Sequence, residues 1–444
     1  MKRSLTHVCR LLIASILVLF STSPAGAQGV VLPSAGPING SMAGASVAAP
    51  IDPAGALYWN PATISARPHS ELLFGADFSY PQTRVTSAFP ANAFIPGSPP
   101  VPVSGRTRSD SGVITLPSLA WVHKPDGGDW TYGLGVFTIG GFGSNYPGGA
   151  GNPVFSPPPP NGFGLGPVAT QLSLLQIAPT LAWQWTETVS IGVAPTVNVA
   201  NLLLDPATFA APDNANMDAF FSYPSATHSR SHWGLGVQAG VYIKLNNGWN
   251  LGASVKSPVW FETFEFDARD EIGGRRDLSL NVEYPLIVSF GGSYTGCAGL
   301  TVAVDVRYID FDNADGLGDP AGFDATGAST GLGMESIFSV ATGVQYELTD
   351  CTSVRIGYLA SENAIPDGAA TFNVGSPTLL QHMLALGVST QLSPAIKASI
   401  AWMHIFHNSI DGPFTSALTG PVPGSSVEID AHNDVLAAGI SVRY

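Results

Sequence analysis

The residue types that usually carry chemistry are thinly spread in this chain of 444 residues. Its nine His are scattered, with His404 and His407 near one segment end. There is no His-x-x-x-His pair on a helical segment, no Gly-x-Ser-x-Gly elbow and no phosphate-binding loop. No catalytic residue, metal ligand or cofactor is therefore assigned. What remains is a small set of charges embedded in apolar, alternating segments: Asp77, Lys256, Glu283, Asp305, Arg307, Arg355, Lys397 and Arg443. A cargo carboxylate would need a desolvated Arg or Lys, and Arg307 and Lys256 are the candidates. Mutual pairing among these charges is the alternative. A second set is aromatic. The link 202–230 holds Leu202, Leu203, Leu204, Phe209, Met217, Phe220, Phe221 and Tyr223, and Trp260, Phe261, Phe264 and Phe266 follow on a nearby segment. Apolar surface in an exposed link marks a binding site for hydrophobic small molecules. Burying a hydrocarbon chain at about 0.8 kcal/mol per CH₂ would drive its capture from water. The bland alternative is a membrane-interface girdle, or loops packed on one another.

The elements that must position these residues begin with a segment that is not structural. Lys2, Arg3 and Arg10 precede an apolar run from Leu11 to Phe20, and Ala25-Gly26-Ala27 fits a small-x-small cleavage site. Residues 1–27 thus read as a secretory signal peptide. Three of the 18 basic residues leave with it, so 15 Lys and Arg face 32 Asp and Glu, a balance of −17. That excludes nucleic acid as a partner, since phosphate neutralisation needs clustered Lys and Arg. Charged residues are only 11% of the chain, yet no second run long enough for a membrane helix exists. Only helices and closed barrels satisfy every backbone group in a bilayer. The expectation is an all-β, antiparallel transmembrane β-barrel.

Period-2 alternation supports it. Along 189–200, Val189, Ile191, Val193, Val197 and Val199 oppose Ser190, Gly192, Ala194, Thr196 and Asn198, and 300–308 and 396–404 repeat the pattern. The second face is small and neutral rather than charged, as a crowded lumen would require. Segments of this kind number about fourteen. Short links at 126–128, 186–187, 246–248, 296–298, 349–351 and 393–394 alternate with long ones at 83–111, 142–171, 202–230, 267–277, 313–333, 363–378 and 409–429. Short periplasmic turns and long outer loops are the barrel signature, and place the chain in the outer membrane of a Gram-negative cell, among its lipid and lipopolysaccharide. Terminal Tyr444 shares a face with Ile440 and Val442. Residues 28–69 do not alternate; they are rich in Gly, Ala and Pro and read as a lumen-filling domain ahead of a barrel over 70–444. Within the third strand, Gly140 and Gly141 mark a bulge, a bend or a close backbone approach, a kink in the strand being one reading and room for the N-terminal domain against the wall the other. Asn60-Pro61-Ala62 predicts a tight turn, Pro fixing φ and Asn bonding nearby backbone. Cys297 and Cys351 both fall in short turns of an oxidising compartment, which predicts a disulfide, two isolated thiols being the alternative.

Several of these segments resemble the FadL/TodX-type outer-membrane transporters of long-chain fatty acids and aromatic hydrocarbons. The resemblance is carried by Gly40-Ser41-Met42-Ala43-Gly44-Ala45, Asp52-Pro53-Ala54-Gly55-Ala56, Asn60-Pro61-Ala62, Gly133-Leu134-Gly135-Val136, Asp305-Val306-Arg307-Tyr308-Ile309-Asp310-Phe311 and Arg355-Ile356-Gly357-Tyr358 with Ile365-Pro366, Pro377 and His382, in that order. It implies a 14-stranded barrel plugged by an N-terminal hatch, with Asn60, Pro61 and Ala62 in the hatch. It also implies passive uptake of hydrophobic compounds by a monomer, not an enzyme. The kink near Gly140 and Gly141 would then be a lateral gate. A structural or adhesive outer-membrane barrel is the alternative.

Overall fold

The computed structural model describes residues 29–94 and 99–444, so the expected signal peptide lies outside the described residues. Fourteen antiparallel strands close into a barrel. They are β1 (Glu71–Phe89), β2 (Ile114–His123, with an outer ribbon Val103–Arg108), β3 (Trp130–Tyr146), β4 (Val168–Gln184), β5 (Val189–Asp205) and β6 (His232–Lys244, preceded by Ser225–Ser229). Next come β7 (Trp249–Lys256, continued by Val259–Phe261 and Phe264–Arg269), β8 (Leu286–Cys297, preceded by Arg275–Leu280 and Glu283–Tyr284), β9 (Leu300–Asp310) and β10 (Ile337–Thr349). The last are β11 (Thr352–Ser361), β12 (His382–Gln391), β13 (Ile396–Gly412) and β14 (Ser426–Arg443). Closure is a continuous ladder between β1 and β14, from Glu71↔Arg443 to Ala88↔Ser426.

Alternation sorts each strand as the pattern requires. On β1, Phe74, Phe78 and Tyr80 are exposed to lipid while Leu73, Asp77 and Ser79 are buried. Aromatics cluster toward the periplasmic end of the lipid face, where Trp130 stacks on Trp183 and the Trp121 indole N–H donates to the Tyr444 hydroxyl at 2.6 Å. Such belts suit rings that are apolar on the body and polar at one end. The short turns need left-handed backbone: Gly248 has φ +85° and Gly299 φ +69°, values a side chain resists. The strands run further outward than their apolar stretches, β1 reaching Phe89 and β3 Tyr146. Parts of the expected links 83–111, 267–277 and 409–429 are thus paired β-ribbon, whereas 313–333 and 363–378 hold no strand.

The lumen is filled by the N-terminal segment. Its short helices α1 (Gly36–Ser41) and α2 (Pro53–Trp59) and the 3₁₀ turn Pro61–Ala66 are almost wholly buried. Asp52 caps α2 by accepting from the Gly55 amide, and Pro53 occupies the first turn, where its missing N–H costs nothing. The wall yields space with glycine. A Cβ on Gly192 would stand 2.3 Å from the Ala62 nitrogen, one on Gly252 2.2 Å from the Val47 oxygen, and one on Gly357 2.4 Å from the Met42 carbonyl carbon. The small-residue face of the strands is therefore a seat cut to the backbone of the hatch. Outer loops close the other end, where Phe155, Leu317, Met334, Ile365 and Val422 join one apolar core with the wall.

Candidate functional site

The hatch is held by buried polar groups. Asn60, on the expected turn, donates from Nδ2 to the Val47 carbonyl at 2.8 Å and to the Val241 carbonyl of β6 at 3.0 Å. Its Oδ1 accepts from the Ala62 amide at 3.1 Å, and Pro61 starts the 3₁₀ turn. One side chain thus makes the turn and ties it to the wall. Asp305 of β9 accepts through Oδ2 from the Ser46 and Val47 amides at 2.7 and 3.0 Å and from Arg307 at 3.1 Å. Arg307 also donates to the Gly44 carbonyl at 2.6 Å, and its guanidinium carbon lies 3.5 Å from the Trp59 ring centre. Lys256 Nζ lies 3.8 Å from the Tyr58 ring centre and 4.7 Å from that of Trp59. In a desolvated setting such contacts are worth about 2 kcal/mol. Arg307 and Lys256, expected to meet cargo, are thus both turned onto the hatch.

The other lumen charges lie close to the wall or the plug. Arg355 donates to Gln345 and Ser389, Lys397 pairs with Glu71 at 3.7 Å, and Arg443 stands in register with Glu71, which also pairs with Arg67. Glu283 is half-buried at the outer edge of the wall, its amide bonded to the Asp315 carbonyl. Asp77 is buried, 6% exposed, and its Oδ1 has no hydrogen-bond partner, as is also true of Lys256 Nζ, Glu71 Oε1 and Asp305 Oδ1; unlike those three residues it has no ion pair or ring contact among the described residues.

Among the described residues the wall's ladders are interrupted twice: briefly between β4 and β5, where Pro179 and Pro195 fall between the Ile177↔Val197 and Leu181↔Val193 pairs, and over a longer stretch between β2 and β3. The ladder between β2 and β3 runs from His123↔Tyr132 to Ser118↔Phe137 and ends there, next to Pro117, which has no N–H to offer. The pair rejoins only near the outer end, where the Asp110 amide donates to the Asn145 carbonyl at 2.7 Å. On its other side β3 bulges against β4 between Thr138 and Gly140. Gly141 has φ +155°, and a Cβ there would stand 2.4 Å from the Leu172 oxygen. The register shift thus falls at Ile139, directly before Gly140 and Gly141. The start of the described chain fills it: the Leu32 amide donates to the Ile139 carbonyl at 3.0 Å and the Gly141 amide to the Val30 carbonyl at 3.1 Å. Tyr58 and Tyr284 hydroxyls converge there, on the Leu32 carbonyl at 2.9 Å and the Ile139 carbonyl at 3.1 Å.

The expected aromatic groove divides three ways. Phe264 is fully buried and Phe209 packs on Phe266 with ring centres 5.0 Å apart, so these belong to the core beneath the loops. Phe261, half-buried, packs on Phe264 at 5.8 Å. Trp260 is 54% exposed and in register with exposed Leu235 on β6, which puts it on the lipid face as girdle rather than groove. Phe220 and Phe221 remain exposed at the loop tip beside Met217, on a loop tied to Glu271 through the Asn216 amide and the Ser222 hydroxyl. Nearby, Tyr223 donates to the Gly327 carbonyl at 2.8 Å; burial, with the Asp324 charge adding to it, pushes its phenol up to about 12. A second aromatic cluster was not anticipated. Phe89, Phe94, Phe163 and Phe414 from three separate links pack together, and Tyr146 stacks on Phe155. They are far apart in sequence and follow no strand period, so only the aromatic content of those links hinted at it.

Below the hatch, a polar recess of about 430 Å³ opens between Pro50, Ser65, Lys124, Glu187, Lys244 and Asn250. The expected Cys297–Cys351 disulfide is absent, because Cys351 is a free, exposed thiol. The two cysteines sit on turns flanking the β9–β10 pair. Neighbouring strands are about 4.8 Å apart, so two steps exceed the Cα separation of about 4.4–6.8 Å that a disulfide tolerates.

The chain matches the sequence family described as outer membrane protein transport protein (OMPP1/FadL/TodX) over residues 16–444. Among solved structures, the toluene transporter TodX of P. putida superposes with a TM-score of 0.66 at 16% identity, covering 93% of this chain and 99% of that one. A FadL homologue of Pseudomonas aeruginosa gives 0.70 at 13% identity, covering 94% and 99%. The toluene transporter TbuX of Ralstonia pickettii gives 0.66 at 16%, covering 93% and 99%. At these identities the likeness is one of fold. No curated protein sequence matches the chain.

Proposed function

The chain belongs to the OMPP1/FadL/TodX family of outer-membrane transport proteins, and on that premise we propose that it admits neutral hydrophobic molecules by diffusion and releases them sideways through the wall. The observation that carries this reading is the break between β2 and β3, bounded by Ser118, Phe137 and the bulge at Gly140. Two further features support it. The recess below the hatch is lined by Lys124, Glu187, Lys244 and Asn250, a poor continuation for a greasy solute, whereas the break faces lipid. Arg307 and Arg355 are hydrogen-bonded to hatch and wall and Lys256 is stacked on the Tyr58 and Trp59 rings, which favours hydrocarbon-like cargo over carboxylates. Relatives described as toluene transporters agree with that class. Phe220 and Phe221 at the outer tip would make first contact.

The test is to bridge the break. Ile114 lies 3.5 Å from where a Gly143 Cβ would be, so an Ile114→Cys/Gly143→Cys pair can be joined by a short thiol crosslinker. Crosslinking should lower octylbenzene uptake by cells several-fold relative to either single variant. Unaltered uptake after complete crosslinking would mean that cargo leaves by another route.

A further inference from the structure

Asp77 is the one lumen charge whose carboxyl neither hatch nor wall satisfies. It is 94% removed from solvent by its 6% exposure, its Oδ1 lacks a hydrogen-bond partner, and no ion pair reaches it among the described residues. An acceptor left dry in this way costs about 1–3 kcal/mol, more when charged, and calls for a ligand or trapped water. Its surroundings hold more unsatisfied polar atoms. On the lumen face its register partners are Leu116 of β2 and Ala437 of β14, and its neighbours along β1 are Gly75 and Ser79. Ser118 Oγ, one step diagonal on β2, has no hydrogen-bond partner either. Asn433 of β14 reaches Ser79 through Nδ2 at 2.8 Å and leaves its Oδ1 unpaired.

The location matters as much as the chemistry. A Cβ on Gly75 would come within 3.2 Å of the Pro37 ring of α1, so the hatch abuts β1 at Gly75 and Asp77 stands one inward step above it. Its partner Leu116 is two residues beyond Ser118, where the β2–β3 ladder ends. The carboxyl is therefore level with the mouth of the break.

We propose that Asp77, with Ser118 one diagonal step away on β2, is a specificity site that accepts a hydrogen bond from the hydroxyl of an otherwise apolar, uncharged cargo, such as an alkylphenol, as it reaches the break. The site rests on the transport reading and narrows its cargo to hydrocarbons bearing one hydrogen-bond donor. Selection follows from the asymmetry of buried hydrogen bonds: a donor satisfies the waiting acceptor, while a plain hydrocarbon must displace its water and return nothing.

The probes are 4-octylphenol and octylbenzene, matched in all but the hydroxyl. In cells that depend on this protein for uptake, Asp77→Leu should lower the ratio of 4-octylphenol to octylbenzene uptake about tenfold, the factor expected for one buried hydrogen bond. An unchanged ratio overturns the proposal and leaves Asp77 as a carboxyl satisfied by trapped water only. Should Asp77→Leu fail to assemble, Asp77→Asn keeps the volume and should lower the ratio about threefold. Calorimetric titration of the purified wild-type protein in detergent supplies a reading that needs no variant: 4-octylphenol should bind about tenfold more tightly than octylbenzene, and equal affinities would overturn the site. Loss of the protein abolishing uptake of neither probe would instead sink transport itself, and the titration would still judge Asp77.

Discussion

Replacing Asp305 with alanine should unseat the hatch without dissolving the barrel. One carboxylate oxygen accepts from two hatch amides, Ser46 and Val47, and from Arg307, all with the Asp305 and Arg307 side chains at 0% exposure. Asp305→Ala removes that acceptor and strands Arg307, which keeps only the Gly44 carbonyl and the Trp59 ring. Breaking a buried pair by deleting one partner costs about 3–5 kcal/mol, because the survivor is left charged and dry. Nearly all of that cost can be escaped by moving residues 44–47 away from the wall, whereas the β9 ladders to β8 and β10 do not depend on the side chain. At about 1.4 kcal/mol per factor of ten, the undocked population should rise by at least about two orders of magnitude. The assay is conductance of the purified protein in planar bilayers, with heat-modifiable migration as the check that the barrel persists. Frequent large openings are expected for Asp305→Ala. The double variant Asp305→Ala/Arg307→Met should return toward wild-type closure, since removing both charges leaves nothing stranded. If single and double variants open equally, charge stranding is not what holds the hatch, and the reasoning fails.

Asn60→Ala removes the side-chain bonds to Val47 and Val241 and the turn bond from Ala62, so it should loosen the same hatch, by about 2–3 kcal/mol, read as increased protease cleavage within residues 44–66 of the folded protein. Gly252→Val places a Cβ about where the Val47 oxygen now stands, and should raise conductance while leaving strand content by circular dichroism unchanged. Phe264→Ala should lower thermal stability of the outer half by about 3–5 kcal/mol, whereas Phe221→Ser should leave the melting temperature alone and slow hydrocarbon capture; the opposite pairing of effects would reverse their assigned roles. Trp260→Ala should change neither uptake nor hatch closure, only the efficiency of membrane insertion, because its ring faces lipid.

The legibility of this chain follows the physics of its two surroundings. Against lipid, the requirement is simple and local: every second residue must be apolar, so Ile191 and Val193, or Phe74 and Phe78, betray their strands without any tertiary knowledge. Turn chemistry is equally local, and the short links at Gly248 and Gly299 could be read for that reason. Inside the barrel the requirement is relational. Whether Arg307 meets cargo or the hatch depends on Asp305 beside it and on Gly44 and Trp59, 263 and 248 positions away along the chain, and no periodicity encodes that. The same holds for Phe264 and Trp260, four residues apart yet facing core and lipid, because the interruptions at 257–258 and 262–263 reset the alternation. The glycines make the strongest case. Gly192, Gly252 and Gly357 looked like ordinary small lumen residues; only the hatch backbone lying within 2.4 Å of each would-be Cβ reveals them as the seat. A barrel wall so closely fitted to its plug leaves little room for a solute to slip straight through past it. Beyond Ser118 a solute would meet no β2–β3 hydrogen bonds, only the short pairing of residues 30–32 with Ile139 and Gly141. Conversely, the same seat makes hatch movement costly, with Asp305, Asn60 and the two stacked cations all to be released at once. On the proposed route the hatch would be the floor and the wall the exit, and variants loosening the floor should then leak small polar ions before they speed the passage of hydrocarbon.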